Sequence, residues 1–118
     1  MKFHLPQSYK YWWPVDVMLP DADKPGKVAK QSFEMQFASI SADEGTAMLA
    51  AIQALPIEQQ AAHQHDELKA VCVDWRGVIG EDGEPVAFTN EALALALQFS
   101  WFSRGVYKAY GRSLAPEA

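Results

Sequence analysis

The sequence predicts an α+β domain in which an N-terminal antiparallel β-hairpin packs on about four α-helices. Three observations predict it. Phe33, Met35 and Phe37 alternate with Glu34 and Gln36, a period of two that places the apolar side chains on one face of a strand. Two helix starts are written out in cap residues, Ser41-Ala-Asp-Glu44 and Thr89-Asn-Glu91. Phe102, Val106 and Tyr110 recur at i, i+4 spacing towards the end of the chain.

Taken in order, residues 1–13 hold His4, Pro6, Tyr9, Tyr11, Trp12 and Trp13 without regular periodicity, and the expectation for them is loose order. Val15, Val17 and Leu19 alternate with Asp16 and Met18, which predicts a strand near 14–19. Pro20-Asp-Ala-Asp-Lys-Pro-Gly-Lys27 is a loop by composition. It joins that strand to a second one near 30–38 and is longer than most hairpin connections. A helix capped by Ser41 runs to about Ala54, with Met48, Ala51, Ile52 and Leu55 on one face, and Pro56 ends it. A second, weakly amphipathic helix is expected over Ile57–Leu68, rich in Gln, Ala and His.

Glu81-Asp-Gly-Glu84 is a turn, because Gly83 takes a positive φ at no steric cost. Pro85 stiffens its exit, Val86 and Phe88 share a side of an extended segment, and the Thr89 hydroxyl caps the next helix with Glu91 in its first turn. Leu93, Leu95 and Leu97 alternate with alanine, yet the cap and the Ala/Leu content favour helix over strand. That helix is apolar all round, which demands burial on every side. A last helix places Phe102, Val106 and Tyr110 inward and Arg104, Lys108 and Arg112 in water, with Gly111 positioned to stop it. The tail from Ser113 to Ala118 is expected to fray.

The chain of 118 residues is read as one domain, 1–118, of ordinary globular composition: 49% hydrophobic and 21% charged. A net charge of −5 and scattered cations argue against nucleic acid as a partner. Cys72, the single cysteine, excludes an internal disulfide and fits a reducing compartment. Between Val71 and Val73 it reads as a buried structural thiol. No signal peptide is recognisable at the N-terminus, and the run Ala92–Phe102 is too short to span a bilayer, so neither secretion nor membrane insertion is expected.

Candidate chemistry is sparse. His63-Gln-His-Asp-Glu67 is the one cluster that suggests a metal, but on a helix only His63 and Glu67 share a face, short of the three or four ligands a zinc site uses. Glu81, Asp82 and Glu84 lack the ligand spacing of a calcium loop. Ser100, Ser103 and Ser113 have no neighbouring His/Asp arrangement. No cofactor, metal or catalytic set is therefore expected. Trp75 is read as a core residue beside the hairpin.

One segment carries a family resemblance. Trp75-Arg-Gly-Val78, the Asp82-Gly83 turn and Pro85-Val-Ala-Phe-Thr-Asn-Glu91, followed by an apolar helix, resemble the small tail assembly chaperones of long-tailed bacteriophages and prophages. The order of elements on either side fits too, from Val15 to Tyr110. The resemblance implies a non-enzymatic protein of the bacterial host cytoplasm that binds the tape measure protein and keeps it soluble while the tail tube polymerises, with the tail tube protein as a further contact. It also implies self-association into rings or spirals. The alternative is a structural minor tail or tail-completion protein that stays in the virion. The apolar residues Leu93, Leu97, Trp101, Phe102 and Val106 are the expected self-association or client contacts, on the ground that so small a domain has trouble burying them all. A monomer with a tight core would use them internally instead.

Overall fold

A computed structural model of the chain describes residues 2–3, 9–60 and 63–115. Strands β1 (Lys10–Pro20) and β2 (Val28–Ala38) form the expected antiparallel hairpin. Helices α1 (Ala42–Gln53), α2 (Ile57–Gln60) and α3 (Asp66–Val71) follow, then strand β3 (Cys72–Arg76) and helices α4 (Asn90–Leu97) and α5 (Ser100–Leu114). The strands make a single sheet in the order β1-β2-β3, antiparallel throughout. The fold is thus the α+β architecture read from the sequence, with a third strand added.

The hairpin is longer than its periodicity suggested. Lys10 pairs with Ala38 and Pro20 with Val28, so Tyr11, Trp12 and Trp13 belong to β1 and not to a loose leader. His4 and Pro6 lie outside the described residues. The connection is held by its own chemistry: Asp21 Oδ1 accepts from the amides of Asp23 and Lys24, Asp21 N–H bonds to Lys27 O, and Gly26 takes φ +77°.

Alternation decides which side chains go in. Val15 and Val17 of β1 and Met35 and Phe37 of β2 are buried, with Tyr11, Trp13, Leu19 and Phe33 packed against them. Strand β3 joins the same face through an irregular register. Met35 pairs with Trp75 and Gln36 with Asp74, but Phe37 pairs with Cys72. The bulge at this step lets Cys72 and Trp75, an odd number of residues apart, both point into the core. No period-two pattern is left in Cys72–Arg76, which explains why the sequence reading assigned no strand there.

Helix α5 covers this face. Phe102, Val106, Ala109 and Tyr110 are buried along one side, while Arg104, Lys108 and Arg112 are exposed as their spacing predicts. Phe33 stacks on Phe102 at 5.5 Å, and Trp75 stands edge-on to Phe88 at 5.1 Å. Gly105 lets the helix approach β1 closely: a Cβ there would lie 2.6 Å from Asp16 O. Gly111 does not stop the helix, which runs on to Leu114. Tyr110 O accepts from Ser113 Oγ, which in turn accepts from Tyr11 OH, both at 2.7 Å, so Ser113 is tied to β1 rather than frayed, while residues 116–118 of the expected tail lie outside the described residues.

The remaining helices match their signals unevenly. Ser41 Oγ accepts from Glu44 N–H at 3.2 Å and Thr89 Oγ1 from Ala92 N–H at 2.9 Å, the two caps read from sequence. Gly83 has φ +80°, and Val86 N–H bonds to Val78 O across the turn. The single helix expected over Ile57–Leu68 is instead the one-turn α2 and the separate α3. Helix α4 is not surrounded: Leu93 and Leu97 are buried, whereas Leu95 faces out.

Candidate interaction surface

Most of the residues expected to meet a partner are core. Leu93 and Val106 are fully buried, and Leu97 and Phe102 are nearly so. A partner could touch these four only if the core opened. Trp101 differs, being half-buried and stacked on exposed Phe99 at 4.8 Å between ring centroids. Of the five, Trp101 alone presents surface in the folded chain.

Among the described residues, exposed apolar side chains form two groups beyond those four core positions, beside others such as Met18, Val28 and Ile79. The first is the α1–α2 arm. Helix α1 spans 12 residues and buries none of them. Its apolar stripe of Met48, Ala51, Ile52 and Leu55 looks across a cleft of about 560 Å³ towards Asp66, Lys69 and Ala70. Leu49 beside that stripe is 56% exposed, and Ile57 at the start of α2 is 84% exposed. An isolated helix of this length is marginal in water, so α1 gains little from its own fold and much from any cover. The sequence showed the stripe; it could not show that the core would form without it.

The second place is the α4–α5 junction, where Leu95 is 62% and Phe99 54% exposed next to Trp101. Here the Leu/Ala alternation carried the signal. On a helix, residues 93 and 97 share a face and 95 opposes them, so one of the three leucines had to face away.

A third feature runs along α5 beside β1 and shares Trp101 with the second. Trp13, Pro14, Asp16 and Met18 from β1 form one wall of a groove of about 550 Å³, and Trp101, Arg104, Lys108 and Arg112 form the other. The edge of β1 is polar but incomplete. Ser39 N–H bonds to Tyr9 O at 2.8 Å, continuous with the strand register, so odd residues of β1 bond to β2 and even residues turn their backbone groups outward. Pro14 is even and has no N–H to offer there.

The titratable groups show where chemistry is and is not available. Burial pushes the Cys72 thiol up to about 12, so it stays protonated at neutral pH. Tyr107 OH donates to Gln64 O at 3.0 Å and therefore accepts from His65 Nδ1–H at 2.9 Å. Burial, then the nearby Lys69 charge, lowers the pKa of that imidazole. Burial, then the Glu67 charge, raises those of Tyr107 and Tyr110. Ser103 Oγ donates to the backbone carbonyl of Ser100 at 3.1 Å and not to a base. His63 meets Asp66 at 3.0 Å, not Glu67. Among the described residues no group of three or more His, Cys, Asp or Glu could hold a metal ion. No described helix is long and apolar enough to cross a membrane. Trp75 is core, with its indole N–H donating to Val86 O at 2.8 Å.

Comparisons of the chain with protein-family models, with curated proteins and with solved structures return no match.

Proposed function

We propose that this chain is a non-enzymatic tail assembly chaperone of long-tailed phages or prophages, acting in the bacterial host cytoplasm to bind and solubilise the tape measure protein during tail tube assembly. The phage identity and the client rest on the resemblance carried by Trp75–Glu91. The observation that supports client binding is the α1–α2 arm, a helix that buries none of its own side chains and exposes Leu49 and Ile57 beside an apolar cleft. A long chain with apolar helical faces aggregates unless those faces are covered.

The physics suits reversible cover. Fully burying an aliphatic or aromatic side chain favours association by roughly 1.5–3 kcal/mol. Association itself costs on the order of 4–15 kcal/mol. The few apolar side chains of the arm therefore hold a client weakly per copy. Many copies along one client, linked by contacts such as Leu95, Phe99 and Trp101, multiply that into capture that still reverses. Self-association into rings or spirals belongs to the same reading, with the tail tube protein as the neighbour that displaces the chaperone.

Co-expression with a tape measure protein, a long helical chain, tests the reading. The expected result is a soluble client that co-purifies with this chain and purified virions that lack the chain. An insoluble client with no complex overturns it. A fixed copy number in virions would instead mark a minor tail or tail-completion protein.

A further inference from the structure

We propose that the groove between β1 and α5 docks an acidic amphipathic helix of the client. The inference rests on the client-binding reading and names the kind of segment bound. Helix α5 carries Arg104, Lys108 and Arg112 and no acid, in a chain whose net charge is −5. The three cations stand at i, i+4 and i+8, so they step along the groove about 6 Å apart in rise. All three are exposed, and the ion pairs among the described residues, His63–Asp66 and Arg76–Glu34, use none of them. The one acid in the groove, Asp16, already accepts from Ser32 Oγ at 2.7 Å.

The groove's shape selects a helix over a strand. A strand adding to β1 needs a continuous row of outward backbone groups. Pro14 removes one donor from that row, and Gly105 lies against Asp16 O. A helix with Glu or Asp at every fourth position offers carboxylates at the same rise as the cations. Its neighbouring apolar side chains then lie on Trp13, Pro14 and Trp101. Three cations on a chain of net charge −5 attract carboxylates locally yet provide little for a polyanionic nucleic acid.

The test uses a fluorescent, alanine-based helical peptide of about 18 residues. It carries Glu at every fourth position with Leu alongside, and a second peptide has Lys in place of Glu. At low salt the Glu peptide binds and the Lys peptide does not. The double variant R104E/K108E weakens binding by about tenfold or more, and added salt does the same, because the contact is carried by exposed charges. Lys24→Glu, in the hairpin connection and outside the groove lining, leaves binding unchanged. Equal binding of both peptides, or no effect of the double variant, overturns the proposal. Displacement of the Glu peptide by a uridine oligonucleotide at equal concentration assigns the groove to nucleic acid. A wild-type oligomer that R104E/K108E dissociates assigns it to a second copy; either result also overturns the proposal. Failure of the wild-type chain to solubilise the client, with peptide binding intact, removes the chaperone reading and leaves the groove. Intact rescue with no peptide binding does the reverse.

Discussion

Gly105 lies directly against the backbone carbonyl of Asp16, with no room between α5 and β1 for a side chain. An ideal Cβ at Gly105 would approach Asp16 O to 2.6 Å, whereas one at Gly111, six residues along the same helix, meets nothing within 4 Å. The two glycines thus do opposite things in one helix. Gly105→Ala is expected to destabilise by about 1–3 kcal/mol through forced separation of helix and strand. Gly111→Ala should stabilise by roughly 0.5–1 kcal/mol from helix propensity. Urea unfolding of the pair checks this, and equal shifts of the same sign would contradict the close packing.

Substitutions on the arm and in the core should separate cleanly. Leu49→Asp and Ile57→Asp alter exposed positions, so the fold is expected to stay within about 0.5 kcal/mol of wild type while client solubility falls. Leu97→Asp places a carboxylate in the core and should cost on the order of 4 kcal/mol or more, unfolding the chain. Circular dichroism beside the co-expression assay distinguishes the two. If the Leu49 and Ile57 variants rescue the client as well as wild type, the arm is not the contact.

Trp75 binds the loop before α4 to the sheet through one hydrogen bond. Trp75→Phe keeps an aromatic ring against Phe88 and Phe102 but leaves Val86 O without its donor. The expected loss is about 1–3 kcal/mol. Thermal unfolding measures it, and a neutral outcome would mean that solvent replaces the indole.

Cys72 should be inert in the folded chain. Burial raises its thiol from an ordinary value of 9.0 to about 12, so a thiolate-seeking disulfide reagent at pH 8 is expected to titrate no thiol in native protein and one after denaturation. The same shift fixes a pH dependence. A neutral thiol favoured by folding contributes stability in full below about pH 9, and this is lost as pH rises from there towards 12, because the unfolded chain deprotonates first. Chemical denaturation of Cys72→Ala beside wild type across that window isolates the effect, as the alanine variant lacks this part of the decline.

Residues that report locally made much of the architecture readable. Ser41, Thr89 and Gly83 each act within a few residues of themselves, and each stands where its chemistry requires. Val15, Val17, Phe33, Met35 and Phe37 obey strict alternation because one face of a regular ladder is buried. Strand β3 was not readable, since the bulge at Phe37 breaks the period that would have announced it. Tyr11–Trp13 were hidden for a different reason: strand pairing, not local pattern, orders them. The site was less legible than the fold. Whether Leu93, Leu97, Phe102 and Val106 meet a partner or the core depends on how much of the sheet α5 can cover, a quantity set by long-range packing. Helix α1 shows the converse, an amphipathic stripe with no place in the core.

The tie between Tyr11 and Ser113 joins residues 102 positions apart. Synthesis adds about 5–20 residues per second, so β1 waits on the order of ten seconds for its covering helix to be made. Through that interval Trp13, Val15 and Val17 are without their partners on α5, and until β3 is made the hairpin is a two-stranded ribbon of marginal stability. Folding of this chain is therefore completed by its last helix, and a nascent copy passes through a stage in which it needs the same protection from aggregation that its finished form is proposed to give.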